Sequence, residues 1–442
     1  MAVLSNPANL SSSSPERGPI RIGMLGFGTV GQGAYRMLAD NREAIQRKVG
    51  TALEVVRIGV RDPEKPRPVD PELVTTDLES IVSDPAIDVV LELMGGVAPA
   101  GSLIEAALAG GKHVVTANKE LIAKQGSRLL RIAAEQGLDL HFEAAVGGGI
   151  PLIQPLKHQL AGNDVLKLMG ILNGTTNYIL TKMAEEGAEF QTALEQAQAA
   201  GFAEADPKSD VEGYDAQYKL AILCSIAFNR EVPPDNVHRE GIDAITRRDM
   251  QFAELLGFRI KLLGIAESIG DRILARVHPT LVPKEHPLAD VRGVYNAVWV
   301  QGDFVGDVMF SGKGAGGAPT ASAVVGDLID VCRNIRIGGA GNLGPFEAGS
   351  AAVPIEDLRT RFYLRLIVKD RPKTLGCIAT IFGNCDISLS AMEMRVIDSG
   401  RNLGEIVFLT HPCLESSFHR AVKAIKNLHM VESVANWLRV EQ

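Results

Sequence analysis

Cysteine is scarce in this chain: five residues in 442, at positions 224, 332, 377, 385 and 413. No two are spaced CxxC and their number is odd, which argues against a disulfide framework, and reduced, cytoplasmic thiols are expected. Cys224 sits in the apolar run 220–228, where a packed core residue is a better reading than a catalytic thiol. Long hydrophobic runs are also missing. No stretch reaches about 18 apolar residues, which excludes a membrane-spanning helix. The uncharged stretch 144–156 is short and is broken by Gly147, Gly148, Gly149, Pro151 and Pro155. The N-terminus lacks a basic segment followed by an apolar core, so no secretory leader is expected. Residues 1–18, with serines at 11–14, read as a polar, disordered tail. Nor is there a basic excess. Lysine and arginine number 45 against 53 acidic residues, a net charge of −8, which argues against a nucleic-acid partner.

What is present is an ordinary globular composition, 46% hydrophobic and 22% charged, over a length that suits about three domains of ~150 residues. Glycine is in excess, 45 residues, against a usual share of about 7%. Strand patterns at 20–26, 53–60, 88–93, 113–116 and 139–144 alternate with helical ones at 30–39, 102–109 and 121–135. That order predicts an α/β fold with a doubly wound, Rossmann-type parallel sheet. Beyond Gly147, strands at 164–172, 258–266, 273–280 and 294–305 mix with helices near 177–186, 191–200 and 213–228, which predicts a mixed α/β second unit. Residues 309–319 read as a glycine-rich loop, followed by a helix over 321–334. After a small-residue linker at 349–354, the order strand 362–368, helix 374–383, strand 387–396, strand 403–410, helix 415–427, strand 430–439 is ferredoxin-like.

Gly26-Phe27-Gly28-Thr29-Val30-Gly31 is a GxGxxG placed between a strand and a helix. Such glycines allow a tight turn, and the helix N-terminus offers free amides to a pyrophosphate; the bland reading is a glycine turn without a ligand. At the tip of the second strand stand Arg61 and Asp62. An acidic residue there suits a ribose hydroxyl and an arginine suits a 2′-phosphate, so both NAD and NADP stay open, with a lean to NADP.

The segment 201–219 gathers Glu204, Asp206, Asp210, Asp215 and Lys219. Asp215 and Lys219 are four apart and share one helix face, which is either an exposed ion pair of small value or part of a site. Carboxylates so crowded repel unless a cation relieves them: Lys219, a metal or a substrate ammonium. Lys119, after the fourth strand, is either a plain helix-start lysine or a contact for cofactor or substrate. Asn173-Gly-Thr175-Thr176-Asn177 can cap a helix or present backbone N–H groups and hydroxyls to a carboxylate.

Together with GFGTVG at 26–31, the segments TANK at 116–119, EAAVGGGIP at 143–151, NGTTNY at 173–178, the highly specific 201–219 stretch and GKGAGGAPTASAV at 312–324 make the chain resemble the homoserine dehydrogenase family over about residues 20–340. The C-terminal unit looks like an ACT regulatory domain. The resemblance implies an NAD(P)-binding domain over 19–146, a catalytic and dimerisation domain over 147–345 whose last part returns to the first, and an ACT domain over 360–442. No aspartate kinase domain precedes residue 20, so the monofunctional form is expected.

That family oxidises L-homoserine to L-aspartate 4-semialdehyde with NAD or NADP, physiologically in reverse, on the route to threonine, methionine and isoleucine. By resemblance Lys219 is the catalytic lysine that exchanges the hydroxyl proton, and Lys119 is a second lysine beside nicotinamide and substrate. Glu204 and Asp215 bind homoserine, Asp210 is a further acidic residue of the site, and Thr175 lies in a substrate-contacting loop. Phe27, Gly28, Thr29, Val30, Arg61, Gly201 and Gly316 match cofactor contacts. A sodium-like ion is implied at Glu143 and the carbonyls of Val146, Gly148 and Ile150; the alternative is a glycine-rich crossover without an ion. The Lys119 ammonium is expected to push Lys219 towards neutrality. After 370–372 the family commonly has glycine where this chain has Lys373, which puts a threonine effector in doubt and leaves the unit as a pairing surface. A homodimer or homotetramer is implied. Two other readings are an aspartate-semialdehyde dehydrogenase-like enzyme, which needs a nucleophilic cysteine that no glycine- or asparagine-rich loop here supplies, and an amino-acid sensor on a dead scaffold, against which Lys219 and Glu204 are both retained.

Overall fold

The computed structural model describes residues 18–341, 346–347 and 352–441; the expected tail and part of the 349–354 linker lie outside these. The first unit is a six-stranded sheet: β1 (Ile20–Leu25), β2 (Leu53–Gly59), β3 (Val74–Thr75), β4 (Val89–Glu92), β5 (His113–Thr116) and β6 (Leu140–His141). All its pairings are parallel, in the order β3-β2-β1-β4-β5-β6, so the order reverses between β1 and β4, where such sheets take their ligands. β4 is buried along its whole length because helices cover both faces, which is why it reads as a continuous apolar run. The Gly317–Ile337 helix lies against the Thr29–Asp40 helix on one of these faces. A Cβ on Gly33 would stand 3.0 Å from Ala321 Cβ.

The second sheet has eleven strands among the described residues: β7 (Val165–Ile171), β8 (His238–Arg239), β9 (Phe258–Ile269), β10 (Arg272–Pro283), β11 (Tyr295–Gly302), β12 (Gly306–Lys313), β13 (Arg359–Lys369), β14 (Leu389–Asp398), β15 (Leu403–Thr410), β16 (Cys413–Leu414) and β17 (Val431–Val440). Its main path runs β12-β11-β7-β9-β10-β17-β13-β15-β14. The last four strands, with helices Thr374–Asn384 and Glu415–Lys426, have the ferredoxin-like order. They own a separate core around Phe362, Phe382, Phe408 and Phe418, yet β17 pairs parallel with β10. The C-terminal unit thus continues the sheet of the second.

Two expectations need correction. Residues 309–319 are mostly regular: β12 runs to Lys313 and pairs with β11 up to Tyr295↔Lys313, and the next helix starts at Gly317, which leaves only 314–316 as a turn. A Cβ at position 312 would stand 3.1 Å from Ile150 Cγ1, a tight contact that a glycine avoids. The strand expected at 139–144 stops at His141. The Glu143 amide turns away to donate to Asp327 Oδ2 at 2.7 Å, and Glu143–Ala145 forms a single 3-10 turn. β3, β8, β12 and the helices Arg42–Val49 and Arg247–Leu255 were not foreseen.

Candidate active site

The nucleotide end of the first sheet is built from backbone. β1 closes on Gly26 at φ 100°, where a Cβ would meet the Leu93 carbonyl at 2.8 Å, and a Cβ on Gly31 would meet the Gly26 carbonyl at 2.6 Å. Both positions admit only glycine, the third one so that helix and strand can touch. Gly28 faces open space. It precedes the Thr29–Asp40 helix, which has no side-chain cap, so the amides there are free for an anion. The Gly317–Ile337 helix, led by Gly316 at φ 120°, is likewise uncapped, and a Cβ on Gly317 would lie 2.8 Å from Thr29 Cγ2. Two helix N-termini therefore meet at one place, a cradle that fits a dinucleotide pyrophosphate. Phe27 turns its ring into the core, 5.7 Å edge-on from Tyr35, and Val30 is half-buried.

A buried carboxylate that the sequence did not single out shapes the next loop. Glu92, fully buried at the end of β4, accepts Met94 N at 2.8 Å and Thr116 Oγ1 at 2.6 Å. Thr116 in turn receives Asn118 N, and Asn118 caps the Lys119–Glu135 helix while donating to Gly96 O at 2.7 Å. Glu92 thus fixes both the Gly95–Gly96 turn and the start of the helix that carries Lys119. The available signal was an acidic residue closing an apolar strand just before two glycines.

Lys119 reaches across to the second unit, where its Nζ lies 2.5 Å from Asp215 Oδ1. Lys219 Nζ donates to Asp215 Oδ2 at 2.7 Å and to Leu172 O at 2.8 Å. Asp215 is 3% and Lys219 8% exposed, which decides against an exposed surface pair. The carboxylate is completed by Asn173, whose Nδ2 donates to Asp215 Oδ2 at 2.8 Å and to Asp210 Oδ1 at 2.7 Å. The Asn173 Oδ1 accepts Thr176 N and so caps the Gly174–Glu185 helix. Asn173 thus performs the expected capping, while the group it offers to carboxylates is its side-chain amide and not the backbone N–H groups and hydroxyls expected of this segment.

The electrostatics of the cluster centre on Asp215. Burial alone would raise the Asp215 carboxyl, but Lys219 and Lys119 hold it well below the usual carboxylate range. Asp215 in turn raises the Lys119 ammonium above its ordinary value. Burial raises the Asp210 carboxyl.

Glu204 does not join this cluster by contact. It is exposed, and its charge acts on Lys119 from a distance. Asp206 is exposed too and turns back towards Lys208 N. Thr175 is buried and donates to Phe202 O at 2.6 Å, tying the helix to the 201–206 turn, in which Gly201 stands at φ 74°. Arg61 is exposed, while the Asp62 carboxylate accepts Glu64 N at 3.0 Å. Glu143, 6% exposed, accepts Leu152 N at 2.6 Å, Ile153 N at 2.9 Å and Gln154 N at 2.8 Å. Burial raises its carboxyl. Gly147 and Gly148 turn at φ 72° and 56°, and a Cβ on Gly148 would strike Gly314 main chain at 2.6 Å. Val146 and Ile150 are buried on the same loop. Cys224 is fully buried, and burial pushes its thiol far above a reactive range.

The family model described as "Homoserine dehydrogenase, NAD binding domain" matches residues 26–143, and the one described as "Homoserine dehydrogenase" matches 151–329. A homoserine dehydrogenase of Synechocystis is 46% identical over 95% of this chain and 99% of its own length. The crystal structure of one from Thiobacillus denitrificans superposes with a TM-score of 0.91 at 43% identity, covering 96% of this chain and 98% of that one. A hyperthermophilic archaeal homoserine dehydrogenase in complex with NADPH superposes with a TM-score of 0.60 at 28% identity over 71% of this chain and 97% of its own. Two family models and identities of 43–46% over nearly the whole length place the chain in the homoserine dehydrogenase family.

Proposed function

We propose that Lys219 and Asp215 run the proton side of the family's reaction, the NAD(P)-dependent interconversion of L-homoserine and L-aspartate 4-semialdehyde. The observation that carries this reading is one buried carboxylate shared by two lysines beside the nucleotide sheet. When bound, the nicotinamide supplies or accepts the hydride. An ammonium has three donors; two of those on Lys219 go to Asp215 and Leu172, and the third has no partner among the described residues. That donor serves the substrate oxygen, giving a proton to the forming alkoxide in reduction and taking it back in oxidation. Lys119, kept charged by Asp215, acts as a fixed positive charge towards the developing alkoxide and not as the base. Asp215 and Glu204 receive the substrate ammonium, with Asp210 behind them, and Thr175 holds the loop that closes over it.

NADP is the preferred cofactor in this reading. Arg61 has no side-chain partner among the described residues, whereas Asp62 is engaged by its own turn, and the archaeal relative is described with NADPH. Phe27, Gly28, Thr29, Val30, Gly201, Gly316 and Lys119 complete the cofactor's surroundings. A monovalent cation, sodium by its hard oxygen donors, fits at Glu143, a buried carboxylate with no lysine or arginine partner among the described residues, together with the Val146, Gly148 and Ile150 carbonyls. It would offset the buried charge and stiffen the turn that meets Gly314.

The units run 19–146 for cofactor, 147–345 for catalysis and dimerisation, and 360–442 as an ACT regulatory domain. Lys373 stands at φ 76°, a left-handed position that suits the glycine the family commonly has. Its side chain makes pairing between copies a better role for this unit than threonine binding. A homodimer or homotetramer is favoured, since β12 and β14 each pair on one side only among the described residues. No described helix is long and apolar enough to cross a membrane, and the five cysteines are free, which supports a cytoplasmic setting.

The test is a spectrophotometric assay with L-homoserine and NADP or NAD at alkaline pH. Absence of turnover with both cofactors overturns the reading. Lys219→Ala should lose about 10²–10⁴ in kcat while cofactor affinity stays unchanged, and adding threonine to the same assay decides the effector question.

A further inference from the structure

The first turn of the Tyr214–Ala227 helix, which carries Asp215, is led by Gly213 at φ 84° and has no side-chain cap. It is seated from outside by residues 234–242. Ile242 N donates to Val211 O at 2.9 Å. A Cβ on Gly241 would stand 2.5 Å from Val211 O and 2.9 Å from Glu212 Cα, so the two backbones touch. The Arg239 guanidinium lies 3.5 Å over the Tyr214 ring and donates to Glu212 O. From the other side Gln217 Nε2 donates to Pro234 O at 3.0 Å and Val237 O at 2.9 Å.

That segment is anchored by the C-terminal unit. Both β8 and β17 pair parallel along the same edge of β10, at Arg276↔His238 and Thr280↔Arg439. This brings Arg439 onto Glu240 as a bidentate pair, Nη1 to Oε2 at 3.0 Å and Nη2 to Oε1 at 2.9 Å. Arg439 is 2% exposed, and its Nε donates to the buried Glu415 of the last helix at 2.8 Å. His238 Nε2 lies 2.8 Å from Glu240 Oε1. A charge-assisted fork of this kind fixes direction as well as distance.

We infer that Glu240 and Arg439 are positioning residues for the reaction: through 239–242 and Gly213 they set how Asp215 meets Lys119 and Lys219, so the C-terminal unit bears on the chemical step through this relay. This rests on the reading of Asp215 and Lys219 given above. Neither Glu240 nor Arg439 touches the proposed substrate or cofactor surroundings.

The experiment uses the full chain with Glu240→Gln, Arg439→Met, the double variant and, as a separate control, Asp215→Asn. Glu240→Gln leaves Arg439 paired with Glu415, so the fold should survive. Its kcat should fall by about 10- to 100-fold, the effect of a small misplacement of reacting groups, while NADPH affinity read by fluorescence stays unchanged. The double variant should fall no further than the worse single one, because the two act as a unit. If Arg439→Met does not fold, Glu240→Gln decides alone. Wild-type kcat in Glu240→Gln, with or without a lower melting temperature, overturns the inference. If Asp215→Asn is inactive at that point, only this inference falls. If Asp215→Asn keeps full activity, the site reading falls and takes the inference with it.

Discussion

The nucleotide side of the site presents backbone, and the acidic side presents charge. At the first, Gly26, Gly31, Gly148 and Gly317 each bring main chain within contact of another segment, and no side chain caps either helix N-terminus. At the second, Asp215, Lys119, Lys219, Asn173 and Asp210 are joined side chain to side chain. The difference follows from what each side must meet. A pyrophosphate is bound by amide groups that cost little to hold in place. A proton in transit needs groups whose charge is set by their neighbours. The two sides should therefore fail differently, by misfit on one and by lost charge on the other.

The largest effect is expected on the charged side. Asp215→Asn keeps the shape but removes the charge that both lysines share. It should lower kcat/KM by about 10²–10⁴ with little change in cofactor affinity, measured by steady-state kinetics and NADPH titration. Equal losses in both quantities would mean that the two sides are not separable. Next comes the backbone side. Gly148→Ala places a Cβ 2.6 Å from Gly314 main chain at φ 56°, a strain of about 1–3 kcal/mol. It should lower the melting temperature and weaken NADPH binding together, because the 314–316 turn leads the second uncapped helix. Unchanged melting and binding would remove this contact from the cradle.

The same contrast explains what could be read from the residues alone. Glycine-rich motifs at 26–31, 147–149 and 312–317 were visible, although only 314–316 of the last is a turn, and helices such as Tyr214–Ala227 were visible by period. Which glycine touches which was not, since Gly148 against Gly314 is a contact between segments some 166 positions apart. On the acidic side the residue types were visible but their pairing was not. Lys119 and Asp215 meet only because the two units close on each other, and Asn173 joins Asp210 to Asp215 through an amide whose second role, as a cap, hides the first. β12 was missed because glycines at 306 and 312 weaken its strand signal. Glu92 was missed because a buried carboxylate satisfied by amides and a hydroxyl looks like an ordinary strand-end residue.

A smaller effect is expected at the edge of the backbone side, where one side chain adds charge. Arg61→Ala should raise KM for NADP about tenfold, the scale of one lost charge-assisted contact to phosphate, and leave KM for NAD unchanged. An equal rise for both cofactors would place Arg61 at a contact common to the two.

The smallest effect tests a lysine buried without a carboxylate partner among the described residues. Lys261, 4% exposed, donates to Asn177 Oδ1 at 3.1 Å and to Val291 O, and Asn177 ties the Gly174–Glu185 helix to the 291–295 loop. Burial, reinforced by Arg259 and Arg292, lowers its ammonium from 10.5 to about 8, whereas Asp215 raises Lys119. Between about pH 8 and 10.5 the folded chain thus binds fewer protons at this residue than the unfolded chain does, so stability contributed by Lys261 rises with pH across that window and is flat below it. Lys119 has the opposite sign, keeping its contribution up to 10.5 and losing it only as pH passes its raised folded value. Denaturant melts of wild type and Lys261→Gln at pH 7.5 and 10 separate the two. The variant should lack a component of stability that increases with pH, and its gap to wild type should therefore be more favourable to the variant at pH 7.5 than at pH 10. A gap independent of pH would mean that the carbonyl oxygens around Lys261 hold its ammonium as firmly as Asp215 holds that of Lys119, and the distinction between lysines held by charge and lysines held by backbone would lose its physical basis.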